Sequence, residues 1–123
     1  MPRGYLLDQT GVGVGQTVGT ATAVIASIPA PGVGKVARLE GRALGLDSAN
    51  GAAISLARAA TIRNIAGTIT VAGALDLLAP IGDAALGGAA MAFIVNGANI
   101  DLRVTGVLTK TIDWTAEITP WTT

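Results

Sequence analysis

The chain is predicted to be all-β, an antiparallel β-sandwich of jelly-roll-like form with an extended N-terminal arm, and three observations predict it. Apolar and polar residues alternate with a period of two in stretch after stretch. β-Branched Val, Ile and Thr carry much of that alternation, and clusters rich in Gly, Pro and Asn interrupt it at short intervals. At 123 residues the chain has the length of one domain, and its 50% apolar content is enough for one core. That content is mostly Ala, Val, Ile and Leu, beside 17 Gly, and the aromatic residues are Tyr5, Phe93, Trp114 and Trp121. Side chains this small let backbones and sheets approach closely.

Residues 1–16 read as the arm, because Pro2, Gly4, Gly11, Gly13 and Gly15 break any regular pattern; residues 17–123 read as the single sandwich domain. From Thr17 to Ile28, Val18, Thr20, Thr22 and Val24 alternate with Gly19, Ala21, Ala23 and Ile25, which predicts one strand. Pro29, Pro31, Gly32 and Gly34 then form a loop. The stretch from Lys35 to Leu46 sets Arg38, Glu40 and Arg42 on a wet face and Ala37, Leu39, Gly41 and Ala43 on a dry one. Asp47 to Gly51 is a turn cluster. Ala53 to Ile65 suits a helix or a strand by local pattern. The adjoining run Ile62 to Val71, divided by Ala66-Gly67 in the manner of a hairpin, selects strand. Leu75 to Gly88, carrying Pro80, Gly82 and paired glycines, reads as a loop or one short helical turn. Ala89 to Val95 is a strand, and the turn Asn96-Gly97-Ala98-Asn99 leads into a partner with Ile100, Leu102 and Val104 inward and Asp101, Arg103 and Thr105 outward. After a turn at Leu108 to Lys110, Ile112, Trp114, Ala116 and Ile118 form the dry face of the last strand.

Eight basic and eight acidic residues balance, so no net field draws the chain to nucleic acid or to an anionic membrane, and neither is an expected partner. The longest uncharged apolar run is too short for a membrane-spanning helix. The opening MPRGYLLDQTG lacks the apolar run of a secretory signal, which predicts no export by that route. The chain has no Cys and no His. Their absence removes disulfides, the usual zinc sites and the Ser-His and Cys-His nucleophilic pairs, so no metal, cofactor or catalytic residue is expected, and the chain is not expected to be an enzyme.

Several motifs fall short on inspection. Gly11-Val-Gly13-Val-Gly15 has Gln16 or Val18 where a dinucleotide motif requires its third glycine. In Pro31-Gly-Val-Gly-Lys35, Pro29 stands in place of the first glycine of a phosphate loop and Val36 in place of its hydroxyl residue, so a β-turn is expected. Asp113 and Glu117 share one strand face but lie about 13 Å apart, too far for an acid–base pair. Asp76, Asp83 and Asp101 could serve as oxygen ligands for calcium only if separate loops met, because no D-x-[DN]-x-[DN]-G loop is present. Four scattered aromatics offer little stacking platform for bases or sugars.

The stretch Ile100 to Ile118 combines an apolar strand, Val104-Thr-Gly106, a short turn with Lys110-Thr111, then Ile112-x-Trp114 and an alternating final strand. It resembles an ending seen in tailed-bacteriophage virion proteins. Ala60 to Val71 resembles the middle strands of the same module, and together the likeness covers residues 33–119. The resemblance implies a β-sandwich in the virion, used for attachment or capsid decoration and often a homotrimer. On this reading the chain is a capsid decoration or cement protein, its arm clamping neighbouring subunits of the phage major capsid protein or other virion proteins. The alternative is a tail fibre or appendage module that recognises a host glycan or protein through loops such as Ala79–Gly88 or Asn96–Asn99. The short chain, with no shaft or separate head, favours decoration. Trp114 is expected in the core. Trp121, too near the end to fold back far, joins the arm residues Tyr5, Leu6 and Leu7 as the candidate partner interface.

Overall fold

The computed structural model describes residues 5–6 and 10–123. Their strands form two antiparallel sheets packed face to face. Along one edge of the larger sheet, β1 (Tyr5–Leu6) and β2 (Gly11–Val18) lie end to end against β9 (Thr111–Thr122). Beyond β9 come β4 (Lys35–Asp47), β5 (Ala52–Ile65) and β6 (Thr68–Gly82). The smaller sheet has the order β3 (Thr22–Pro29), β8 (Asn99–Thr105), β7 (Ala90–Asn96). A single 3-10 turn, Ala84–Leu86, carries the chain from β6 to β7. β2 pairs with β9, which pairs with β4 on its other side, while β3 pairs with β8 in the smaller sheet and the β7–β8 hairpin stays beside it, so the expected sandwich forms with a connection of its own. The meander β4-β5-β6 then stays within one sheet, which leaves the two layers unequal in width.

Period-two alternation places the core where the sequence predicts. Ile112, Trp114, Ala116 and Ile118 of β9 meet Ile100, Leu102 and Val104 of β8, with Leu39 and Ala43 of β4, Leu56 and Ile62 of β5, and Ile25, Ile28 and Phe93 around them. Trp114 is 2% exposed, and its Nε1 donates to Thr17 Oγ1 at 2.9 Å, so its one polar atom is satisfied inside the core. By register its neighbours are Gly15 on β2 and Gly45 on β4. A Cβ on Gly45 would stand 2.7 Å from Trp114 Cζ3, and one on Gly15 would stand 2.6 Å from Ile25 Cδ1. The indole therefore occupies space that Gly45 leaves open on β4, while Ile25 of the facing sheet occupies the space left by Gly15.

Gly11 to Gln16, expected in the arm, belong to β2 instead. Their pattern failed as a core signal because the inward positions are Gly11, Gly13 and Gly15, which bury no side chain yet let β2 press on the backbone of β3. A Cβ on Gly13 would overlap the Ile25 carbonyl oxygen. The single strand expected over Thr17 to Ile28 is likewise two strands. The chain turns at Gly19, with φ 61°, and crosses to the other sheet, fixed by Gly19 N–H to Lys110 O at 2.8 Å and Gly106 N–H to Ala21 O at 3.0 Å. Leu75 to Gly82, expected as loop, continues β6, while the short helical turn appears at Ala84–Leu86. Asp101 does face away from the core, but Ser27 Oγ at 2.8 Å and Asn96 Nδ2 at 2.9 Å cover it.

The remaining turns follow the sequence. Ala66 and Gly67, with φ 54° and 88°, close the β5–β6 hairpin between Ile65 and Thr68, and Gly97, with φ 59°, opens the β7–β8 turn between Asn96 and Asn99. Gly34, with φ 78°, sits in the expected β-turn, where Lys35 N–H bonds Gly32 O at 3.0 Å. Asn64 Nδ2 ties the preceding loop down through Pro31 O at 3.0 Å. At the β4–β5 turn, the Asp47 carboxylate accepts from the Asn50 side-chain amide at 3.0 Å and from Ala49 N–H at 3.2 Å. Lys110 Nζ of the β8–β9 turn lies 3.9 Å away. The Asn50 bond foremost, then the Ala49 N–H and the Lys110 ammonium, hold this carboxyl below the usual carboxylate range despite its burial.

Two predictions follow from this packing. In urea unfolding, Thr17→Val is expected to cost about 1–3 kcal/mol by orphaning the buried indole N–H, whereas Gly13→Ala is expected to prevent folding. Because the Asp47 pKa is depressed in the folded chain, its contribution is present above the unfolded value and is lost as pH falls through the folded one. Acid titration of stability should show that loss in the native chain and a smaller one in Asp47→Asn.

Candidate functional site

The outer face of the larger sheet is the surface that the fold builds most extensively. Register across β2, β9, β4, β5 and β6 aligns Val14, Thr115, Leu44, Ser55 and Ile81 in one row. The next row is Val12, Glu117, Arg42, Ala57 and Leu78, and a third runs Thr119, Glu40, Ala59 and Leu75. Trp121 and Arg38 pair beyond it, and Leu46 extends the other end of β4. On β2, β9, β4 and β5 these positions turn outward because the alternate ones face the other layer, although Ala59 is itself covered; Leu78, between two register shifts, lines a hollow with Ala89 and Met91 on the β7 side. Val14 is 76% exposed, Leu75 74% and Leu78 61%. One shallow hollow, over Leu44, Ser55 and Thr115, encloses about 360 Å3.

Charge on this face is mixed and sparse. Arg42 Nε approaches Glu117 Oε1 at 3.4 Å across β4 and β9, and Arg38 Nε bonds Glu40 Oε2 at 3.1 Å along β4. Both pairs are solvated and add little stability. Asp113, on the same side, accepts from Gln16 Nε2 at 2.8 Å. The carboxylates singled out in the sequence are engaged separately: Asp76 with Arg58 Nη1 at 2.7 Å, Asp83 with Ala53 N–H at 2.8 Å, and Asp101 as described. Among the described residues no three Asp or Glu side chains converge.

Trp121 stands on the outer face and is 50% exposed. Its backbone pairs with Leu6, while the side chains of Tyr5 and Leu6, and all of Leu7, lie outside the described residues. Of the segments expected to recognise a host, Ala79 to Gly82 is exposed strand, Asp83 to Gly88 joins β6 to β7 through the 3-10 turn, and Asn96 to Asn99 is an exposed tight hairpin turn. The apolar outer face went unread in the sequence because Leu44 is indistinguishable there from a core residue, and Leu75 and Ile81 fall in a stretch that reads as loop; only the register shows which side they take.

The chain matches no protein-family model and no curated protein sequence. Solved structures similar to it are tailspike proteins of Acinetobacter phages. The tailspike of Acinetobacter baumannii phage AM24 matches at 8% identity and a TM-score of 0.43, over 90% of this chain and 26% of that one. That of Acinetobacter phage vB_ApiP_P1 matches at 17% and 0.40, over 85% and 20%. The gp49 tailspike of A. baumannii bacteriophage Fri1, a capsular polysaccharide depolymerase, matches at 10% and 0.41, over 97% and 20%. The chain thus spans about a quarter or a fifth of these proteins' length, and likeness at this level assigns it neither a family nor an activity.

Outward residues can be changed without touching the core. Val14→Thr and Leu44→Thr should each alter unfolding free energy by no more than about 0.5 kcal/mol, while the pair should lower binding of an apolar dye to the native chain.

Proposed function

We propose that the chain is a structural module of a phage particle, carried on a tail appendage, and that it works by association through the outer face of its larger sheet. The observation that carries this reading is the extended, weakly charged apolar face set on a rigid sandwich, beside carboxylates that are each engaged singly. Supporting it, the two segments that resemble phage virion proteins, Ala60 to Val71 and Ile100 to Ile118, fall on strands β5 and β6 and on strands β8 and β9 of that sandwich.

The capsid-cement reading has less support from the same structure. A clamp needs a free arm, and Gly11 to Gln16 are instead paired along β9 over Ile118 to Asp113. Deleting residues 1–15 would remove most of β2 and open the edge beside Trp114, so the segment serves this subunit's own fold. In the appendage reading the module adds a stiff, compact β-layer and takes its place through surface burial.

Immunogold labelling of intact particles, with an antibody against this chain, tests the position. Label at the tail is expected. Label spread over the head at many copies would replace the appendage with decoration, and particles without label would overturn both.

A further inference from the structure

We propose that two copies of this chain join edge to edge through β2, each lending the other a neighbouring strand, so that their larger sheets run into one. The contact goes beyond the association through the outer face proposed above, because it uses backbone groups at a sheet edge and not side chains on a face. The larger sheet ends on one side at β2, beside β1, and on the other at β6; the smaller ends at β3 and β7. Exposed strand edges invite pairing with another chain, and β6, β3 and β7 are guarded against it. β6 carries Pro80 and three register shifts against β5. β3 has a bulge between Val24 and Ala26 and ends at Pro29. An added strand beside β7 would cover the Arg58–Asp76 ion pair, which lines a hollow with Ala90 and Met91. β2 has none of these devices. Gly11 to Val18 contain no charge and no proline, and all eight residues pair with β9 without a shift.

The phase of the β2–β9 ladder shows which backbone groups this edge offers. Gly19 N–H bonds Lys110 O at 2.8 Å, one pair beyond Val18 and Thr111 in the same register. Gly11, Gly13, Gly15 and Thr17 therefore turn their N–H and C=O toward β9. Val12, Val14 and Gln16 turn theirs the other way, where no strand among the described residues meets them. β3 packs against the inner side of β2, over the glycines, and leaves the lateral edge open.

The occupant is a second copy because the strand is its own complement. About a twofold axis at Val14, that residue pairs with Val14 of the second copy and Val12 pairs with Gln16, all of them edge-facing, for roughly six backbone hydrogen bonds. Valine meets valine on the outer face, and Gly13 meets Gly15 on the inner one, so no bulky side chain stands in the seam. The described charges behind β2 are Asp113 and Glu117 of β9, held by Gln16 and Arg42. Three strand spacings, about 14 Å, would separate them from their counterparts, beyond the screening length of physiological salt. A foreign strand would have to match this uncharged pattern, whereas a copy matches it by symmetry. The twofold pairing uses up both edges, and the assembly closes at two.

Sedimentation velocity on the whole chain, from about 1 to 100 μM, tests the pairing. A dimer is expected to form across this range. Val14→Lys, which sets like charges opposite each other at the axis, should weaken it at least about tenfold at unchanged circular dichroism. Leu75→Lys, on the exposed outer side of β6, should leave it unchanged. Amide hydrogen exchange of the native chain separates edge from face even where a variant misfolds. The N–H groups of Val12, Val14 and Gln16 should be protected at high concentration and exchange freely at low, while those of Gly13 and Gly15 stay protected at both. A chain monomeric throughout, a dimer indifferent to Val14→Lys, or edge amides equally exposed at both concentrations would overturn the pairing. A dimer weakened by Leu75→Lys instead would overturn it in favour of the outer face. None of these readouts uses particles, so the proposed position on the virion stands or falls separately.

Discussion

The seat of Trp114 constrains most of what surrounds it. The indole lies on the inner face of β9 and extends over Gly45 of β4, while its backbone pairs on the other side with Gly15 of β2. Its N–H needs Thr17, which fixes the end of β2 against β9. In a core built mostly from Ala, Val, Ile and Leu, the two large rings are Trp114 and Phe93, and Gly45 and Gly41 make room for them. β9 is accordingly the organising strand, holding the first strands of the chain on one side and β4 on the other.

Much of this was legible from residue alternation. The dry faces of β4, β8 and β9, the hairpins at Ala66-Gly67 and Gly97-Ala98, and the buried Trp114 all follow from period-two patterning and turn chemistry. What escaped was information carried by backbone approach and by register. Gly11, Gly13 and Gly15 bury nothing of their own, so a strand pressed against β3 looks like a linker. Gly19 gives no sign that the chain changes sheets there. In β6, Pro80 and the glycines suggested a loop, yet a bulged edge strand tolerates them because its outer side owes no hydrogen bonds. The candidate surface was hidden for a related reason: Leu75 lay in a stretch that read as loop, and Leu44 in a strand whose sides only the register tells apart.

The chemistry available to the chain points the same way as its shape. Asp76, Asp83, Asp101 and Asp113 are each held by a different local partner, respectively Arg58, the Ala53 N–H, Ser27 with Asn96, and Gln16. Among the described residues, the acid pulled clearly below its usual range is Asp47, which locks a turn to its neighbour through Asn50 and Lys110. Polar interactions here rigidify corners, while apolar surface remains for contact.

The pairing of β2 with β9 has a consequence for how the molecule is made. β2 finds its hydrogen-bonding partner only in β9, the last strand of this sandwich. On a ribosome, the meander β4-β5-β6 and the hairpin β7-β8 have their partners nearby in sequence, whereas the larger sheet cannot close until β9 has been made. Through that interval the waiting N-terminal strand presents alternate glycines, a segment with too little side chain on one face to nucleate clumping between nascent chains. The same glycines that admit β3 in the finished fold keep the unfinished one from sticking.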